Sequence, residues 1–545
     1  MIFDMKTNRG ARSWMLVLAL ATAAGLVSCK KSTPTPEPEP VNPVGPTATG
    51  TRAELTKDSI FLYAKQVYLW NDALPTYAVF NPRQYTKSTT ELDNYNSELF
   101  AISRYGINPA TSQPYEYRTS NPLYPKYSNI QDIANKNPVA VVAPVGSVNT
   151  DGIGYDIGIF SFSAYGTESN YKLYIKAVYP GSSAAAKGLT RGTQITAING
   201  TAIGSNFNGQ VDLINSLLDN TITSATLAGI KTDGSTFNET LARTSYTSSP
   251  VYKSKVFTQA GKKIGYMAFG RFSSTTSANS DANLDPVFAE FATQGVTDLI
   301  IDLRYNGGGF VSTAEYLVNL IAPSTATGTM YIEKFNTLMQ SNGATILANQ
   351  PLTDAAGKVR YGTDGKMLTY ANVNYSQAEN TSVFSKKGSL SGVKNIVFIV
   401  SGSTASASEL TINALKPVMN VKLVGTQTYG KPVGFFPIRI ENKYDVYYSM
   451  FETVNSRGEG SYYAGFTPDV VDAVDDATHD FSDAQENYIA KSLNLLAPVA
   501  VSSARTSEVN ILRTLATSNT SVDMMQKIET PAHFVGMVET RHKVK

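Results

Sequence analysis

Two residues in this chain have the types and the spacing for covalent catalysis. Ser406 lies in Ser403-Thr404-Ala405-Ser406-Ala407-Ser408-Glu409, and Lys431 follows in Thr428-Tyr429-Gly430-Lys431. A serine hydroxyl becomes a strong nucleophile only when a neighbouring base takes its proton. A lysine is such a base once burial has stripped its ammonium of water. The three histidines, His479, His533 and His542, belong to no motif. A Ser-His-Asp arrangement is therefore poorly supported, and a Ser-Lys dyad stays open.

Asn395 to Val400 (Asn-Ile-Val-Phe-Ile-Val) has the composition of a buried strand, Ser401 to Thr404 reads as a turn, and a helix begins near Ala405. A serine at such a junction faces the carboxyl end of a sheet, where open α/β sheets place ligands. It also sits near helix N–H groups that favour developing negative charge. A plain structural role competes, because Ser406-Ala407-Ser408-Glu409 also fits the Ser-x-x-Glu capping box. A second strand end, Ile300 to Arg304, runs into Tyr305-Asn306-Gly307-Gly308-Gly309. Consecutive glycines let backbone N–H groups converge on an anion, so an N–H from this run and that of Ala407 are candidates for an oxyanion hole. No Gly-Lys-Ser/Thr follows to make it a phosphate cradle. Taken alone, a lysine in a Tyr-Gly-Lys turn is usually solvated. Ser391-Gly392-Val393-Lys394 matches Ser-x-x-Lys but has neither Ser-Asp-Asn nor Lys-Thr-Gly with it, and is set aside.

The elements that must carry these residues follow an order. Residues 1–28 read as an export signal, with Lys6, Arg9 and Arg12 before an apolar run from Trp14 to Val27. That run is shorter than the roughly 20 residues a spanning helix needs. Leu26-Val27-Ser28-Cys29 resembles a lipobox, and Cys29 is the only cysteine of the sequence, which marks it as the lipidation candidate and excludes intrachain disulfides. Residues 29–50, with six prolines between Pro34 and Pro46, form an extended tether. Residues 51–150 read as a small helical domain, with helices expected at Asp58–Trp70, capped by Thr56 or Asp58, and at Thr89–Ser103.

From residue 151 to 247 the texture becomes β-rich. Tyr171–Val178 alternates, Gly192–Gly200 ends in an Asn-Gly hairpin signal, Gln210–Leu218 reads as a helix, and Asp233-Gly234 marks a second hairpin. This order resembles a bacterial PDZ domain, and the resemblance makes Gly152, Ile153, Gly154 and Tyr155 its carboxylate-binding loop. A dinucleotide fingerprint fails there, since Gly158 comes one residue late and no helix pattern follows. Residues 250–480 alternate strands and helices, which argues for an α/β domain with a largely parallel sheet, interrupted by an insertion between about Phe335 and Leu390. Residues 481–545 hold a helical run (Ala484–Leu495) and a polar tail.

As an ordered set, the Ser-Ala-Ser-Glu phrase, the Gly-Lys turn, the Asp-Leu-Arg-x-Asn-x-Gly-Gly phrase and the upstream PDZ-like segment resemble the C-terminal processing peptidases, or tail-specific proteases. The likeness covers roughly residues 55 to 475. It implies a multidomain α/β protein whose core has the crotonase/Clp-protease-like fold. By the same resemblance Ser406 is the nucleophile, Lys431 the general base, and the Gly308 and Ala407 amides the oxyanion hole. Many members continue after the lysine to a glutamine that orients it. Here Phe435 holds that position and Pro432 removes an N–H, leaving Tyr429 and Tyr448 as candidates to orient Lys431.

Loss of the signal would remove Lys6, Arg9, Arg12 and Asp4 and leave a formally neutral chain. No basic stripe marks a nucleic-acid binder, and no motif calls for a metal or cofactor. The leading expectation is an envelope lipoprotein, anchored through an N-terminal lipid, that cuts proteins presenting free C-termini. Two readings compete: a C-terminus-binding scaffold with a weak or inactive core, and a structural or glycan-handling lipoprotein suggested by the 31 tyrosines.

Overall fold

A computed structural model describes residues 45–118, 122–133, 148–219, 222–273, 279–354, 357–499, 518–529 and 536–545. The signal segment, Cys29 and most of the tether lie outside the described residues.

Helix α1 (Arg52–Val67) begins six residues before the sequence pattern suggests. Thr51 supplies the cap, accepting the Glu54 N–H while Glu54 accepts the Thr51 N–H at 2.7 Å. Thr56 and Asp58, the expected caps, are buried within the helix, and Asp58 binds Arg83 instead. Helix α2 (Glu91–Ile102) packs on α1. Strand β1 (Asn129–Asp132) then leaves this region to join a sheet built from much later residues.

Strand β2 (Ile153–Asp156) precedes a sheet formed by β3 (Ile159–Thr167), β4 (Asn170–Val178), β5 (Gln194–Ile198), β6 (Ser224–Ile230) and β7 (Thr236–Ala242), in spatial order β7-β6-β5-β4-β3. Helix α3 (Phe207–Ser216) lies between β5 and β6 in sequence. Asn199 and Gly200 both have positive φ, as the tight hairpin turn before Thr201 requires. Strand β8 (Thr244–Thr247) returns to pair with β2.

The larger sheet contains β9 (Val251–Gln259), β10 (Lys262–Phe269) and, after helix α4 (Leu284–Thr293), β11 (Asp298–Asp302). Strand β12 (Gly308–Phe310) and helix α5 (Val311–Ile321) follow, then β13 (Thr329–Phe335). The sheet resumes with β14 (Asn395–Val400), helix α6 (Ala407–Leu415) and β15 (Asn420–Gly425). Beyond the short β16 (Val433–Gly434) come β17 (Tyr444–Tyr447), β18 (Phe451–Asn455) and β19 (Val470–Val471). The order is β9-β10-β11-β14-β15-β19, parallel from β10 onward, as the alternation of strand and helix implies.

Both faces of that sheet are buried, and the side chains divide with period two. Met267, Phe269, Leu299, Ile301, Ile396, Phe398 and Val400 join the core under α4, α5 and α6. Ile264, Tyr266, Ala268, Ile300, Val397 and Ile399 join the opposite core, which α7 (Asn487–Leu496) covers with Tyr488, Ile489 and Leu493. The helical run after residue 484 is thus the lid of the second face. Two further elements close the chain: α8 (Asn519–Lys527) and β20 (Gly536–Val538).

Candidate active site

Ser406 occupies the last position before α6, where β14 has ended and the chain must turn into the helix. Its backbone lies at φ 61° and ψ −111°, a region that side chains other than glycine's rarely enter and that carries roughly 1–3 kcal/mol of strain. Such strain persists only where the surroundings impose it. The capping box expected from Ser-x-x-Glu is half made. Glu409 accepts the Ser406 N–H at 2.9 Å, but the Ser406 Oγ is fully buried and takes no hydrogen bond. A serine retained for capping would spend its hydroxyl on a helix N–H. This one holds it unspent.

Glu409 does more than receive one amide. It is completely buried, and its two oxygens accept from Ser406 N, Lys431 N (2.8 Å), Gly430 N (2.8 Å) and Thr428 Oγ1 (2.5 Å). A single oxygen, Oε2, takes both the Ser406 and the Lys431 N–H, so the backbones of the two residues stand two hydrogen bonds apart. Burial raises the carboxyl's pKa, and the four donors draw it back down. The sequence showed Glu409 only as the partner of a cap. Its part in joining two loops twenty residues apart depends on the fold and leaves no local signal.

Lys431 is 1 % exposed. Burial pushes its ammonium down to about 7, against the opposing pull of Glu116 and Glu409. The expectation that a lysine in this turn is solvated fails here, because strand and loop segments from three parts of the chain surround it. The Phe435 ring lies 4.4 Å from its Nζ and the Tyr127 ring 5.9 Å. Phe435, standing where a glutamine was expected, thus meets the lysine with a π face. The two tyrosines proposed to orient Lys431 spend their hydroxyls elsewhere, Tyr429 on Lys126 O and Tyr448 on Ile60 O. Tyr127 instead donates to Gly430 O at 2.5 Å and fixes the turn.

Tyr127 and Glu116 come from the N-terminal region, in which the sequence showed nothing catalytic. Glu116 is fully buried and accepts from Tyr127 N, Ser128 N, Ser128 Oγ and Ser449 Oγ. It thereby ties residues 126–128 to the segment after β17. The pairing of β1 with β17 holds this region over the Lys431 loop. No motif announces these residues, since they lie in a stretch rich in Tyr, Asn and Pro.

The glycine run meets the nucleophile loop through Asn306. Its backbone oxygen accepts from Ala405 N at 3.1 Å and Ser408 Oγ at 3.0 Å, and its Nδ2 donates to Phe269 O at 2.9 Å. Gly308, at φ 111°, lies so close that an added Cβ would stand 3.1 Å from Ala407 N and 2.4 Å from Gly536 O. Only glycine fits. The Ala407 N–H opens α6 and so has no intrahelical acceptor. The Gly308 N–H donates to Asn306 Oδ1 at 2.9 Å in this conformation, so it joins an oxyanion hole only when that carboxamide gives way.

Gly152 to Tyr155 are not at this site, nor on the edge of the five-strand β3–β7 path. The Gly152 N–H goes to Asn149 O and that of Ile153 to Asn149 Oδ1, while β2 pairs along its length with β8. Among the described residues no cluster of three His, Cys, Asp or Glu is arranged to hold a metal.

Comparison with known proteins concerns the region that contains Ser406 and Lys431. Residues 263–472 match the family model described as Peptidase family S41. A carboxyl-terminal-processing protease of Picosynechococcus is 26% identical over 262 residues, 46% of this chain and 49% of that protein. The chloroplastic C-terminal processing peptidase of Tetradesmus obliquus is 24% identical over 262 residues, 46% of each chain. The chain spans between a third and a half of the length of the curated relatives it matches. Among solved structures, the photosystem II D1 C-terminal processing protease aligns with 78% of this chain and 94% of its own, at 16% identity and a TM-score of 0.41.

Proposed function

We propose, from the peptidase family S41 match at residues 263–472, that this protein is a serine endopeptidase working by a Ser406/Lys431 dyad. One observation carries the reading: a strained, buried serine with an unspent hydroxyl shares the Glu409 acceptor with a buried lysine whose pKa burial lowers to about 7. Neither feature serves stability, and together they meet the requirement for an activated hydroxyl.

In the reaction, Lys431 Nζ takes the proton of Ser406 Oγ as the oxygen attacks the scissile carbonyl. The Ala407 N–H, aided by the dipole of α6, receives the developing oxyanion. Gly308 is the second donor once Asn306 releases it. Lys431 then returns its proton to the departing amine, and a water hydrolyses the acyl-serine by the same route. Loss of a single oxyanion donor typically lowers turnover about 10²–10³-fold.

The β-rich region 151–247 is, in this reading, a PDZ-like module that captures protein ends. Its peptide groove runs between the edge strand β3 and α3, with Gly152 to Tyr155 as the candidate loop for the terminal carboxylate. Attachment to a membrane through a lipid on Cys29, facing the periplasm or the cell exterior, completes the assignment. The substrates are proteins with accessible C-termini.

The test uses protein from Lys30 onward, with Ser406→Ala and Lys431→Ala beside the parent, on an unstructured protein ending in apolar residues. Cleavage by the parent, with at least about 10³-fold loss in both folded variants, is the expected result. Equal cleavage by either variant ends the dyad assignment.

A further inference from the structure

The distal segment of the chain lies against both regions that the proposed peptidase would use for substrate. Helix α8 sits against the edge strand β3 and helix α3. The Gly166 N–H donates to Ser521 Oγ at 3.2 Å, and Ser521 Oγ donates back to Gly166 O at 3.1 Å. Ser161 Oγ donates to Glu529 O, while Asn215 of α3 donates to Lys527 O and accepts the Glu529 N–H, each at 3.0 Å. Between these polar contacts Met524 and Ile528, one helical turn apart, are buried in the same apolar cluster as Phe162, Ile214 and Leu217. β3 has a partner on one side only, β4, so its other edge is the side a peptide would add to.

Strand β20 lies between the glycine run and Phe435. It runs parallel to β12, with Gly308 opposite Gly536, Gly309 opposite Met537 and Phe310 opposite Val538. The Gly536 N–H donates to Gly307 O at 3.1 Å. On its other edge Phe435 N donates to Met537 O at 3.0 Å, and Glu539 N donates to Phe435 O at 3.2 Å. The segment therefore bridges the oxyanion loop and the lysine loop as an added strand, and Met537 is fully buried in the main core. Its continuation is held by Arg541 to Glu315 at 3.1 Å, by Asn374 N to Lys543 O at 2.9 Å and by the His542 ring against Tyr370 and Phe436.

An extended chain that pairs with the glycine run on one side and with Phe435, four residues after Lys431, on the other has the position a substrate strand needs. A helix covering the β3 edge of the β-rich module, beside α3, has the position of a captured ligand. We propose that residues 518–529 and 536–545 are an intramolecular ligand of both sites, with α8 occupying the peptide groove of the β-rich module and β20 occupying the catalytic cleft as a pseudosubstrate. The occupant also states the chemistry each site accepts: an amphipathic segment with apolar residues four apart in the first, and an extended strand with an unbranched apolar side chain in the second. An external substrate must displace this segment before it reaches Ser406.

This inference rests on the peptidase reading for its consequence, but its test does not. In a Ser406→Ala background, protein from Lys30 ending at Val499 is titrated into a fluorescent peptide of residues 518–545 and binding is followed by anisotropy. The truncated protein is expected to bind, the intact chain to bind at least about 10-fold more weakly because its sites are filled, and a peptide carrying Met524→Asp and Met537→Asp to bind neither. Equal binding to intact and truncated protein, or none to either, overturns the proposal. Should truncation prevent folding, the intact chain carrying Met524→Asp and Met537→Asp takes its place, with gain of peptide binding expected and no gain overturning the idea. With Ser406 restored, release of the segment is expected to raise cleavage about 10-fold. Peptide binding without such a rise overturns the inhibitory role, whereas absence of cleavage in every form counts against the dyad alone.

Discussion

At Lys431 the environment does two opposed things. Burial drives the ammonium to release its proton at about pH 7, whereas Glu116, Glu409 and the Phe435 ring favour the charge. Cleavage should therefore rise as pH climbs through about 7 and level off above it, as an initial-rate profile would show. The same shift governs stability. Between about 7 and the ordinary lysine range near 10.5 the unfolded chain holds a proton that the folded chain has lost, so stability falls as pH falls through that window and stays low beneath it. Lys431→Met should abolish cleavage yet melt above the parent at pH 6, with the advantage fading toward pH 10. A destabilised variant at pH 6 would mean the lysine is held charged. Phe435 separates from this effect. A cation–π contact is worth about 0.5–2 kcal/mol to the protonated form. Phe435→Leu should accordingly move the rising limb of the pH profile downward by up to about one unit, and an unmoved limb would assign the ring to packing alone.

Between elements, two carboxylates, Glu409 fully buried and Asp475 24% exposed, hold the loops around the proposed dyad. Glu409 joins the α6 start to the Lys431 turn through four accepted hydrogen bonds. Glu409→Ala leaves three backbone N–H groups without their acceptor, which should lower stability by at least about 2 kcal/mol and turnover by about 10²-fold. Melting and kcat measured together check this, and Glu409→Gln should recover part of both. Asp475 accepts from Arg191 of the β-rich region at 2.6 Å and from Arg304, at the base of the oxyanion loop, at 2.9 Å. Burial would raise its pKa, but the two guanidiniums hold it well below the usual carboxylate range. Its contribution is thus complete above about pH 4, where the unfolded carboxyl has ionised, and is lost as pH falls below that toward the folded value. Asp475→Asn should be less stable by about 1–3 kcal/mol at pH 7, because Arg191 and Arg304 lose one counter-charge but keep Glu486 and, for Arg304, Asp302, and should show a flatter decline below pH 4 in acid titrations followed by circular dichroism. The largely parallel sheet and the strand-to-helix junction ahead of Ser406 were legible from apolar runs such as Asn395–Val400, whose period is local, whereas the strand order was not. The parts that hold the site were not, because Glu116, Tyr127 and Asp475 are joined to their partners by sequence separations of up to several hundred residues. At Gly152–Tyr155 the sequence showed the glycine-rich phrase but not the strand β8 that pairs with it, which is joined only by the fold.

Across the whole molecule, α8 and β20 attach one segment at two sites, with residues 530–535 between them. That polar tail yielded no reading from sequence, since its apolar anchors Met524, Ile528 and Met537 are too sparse to form a periodic pattern and gain meaning only against the surfaces they meet. Two attachments on one chain reinforce each other: while either holds, the other faces its site at an effective concentration in the millimolar range, far above that of a competing substrate. Loosening one anchor should then change little, because the remaining one returns the segment to place. Met524→Asp alone and Met537→Asp alone are each expected to raise cleavage by no more than about 3-fold. The double substitution should raise it by more than the product of the two. A substrate that engages the β-rich module would act as Met524→Asp does, so a peptide carrying only the α8 sequence should activate the Met537→Asp protein more strongly than the parent. If the single substitutions simply multiply, the two attachments are independent and the segment blocks each site on its own account.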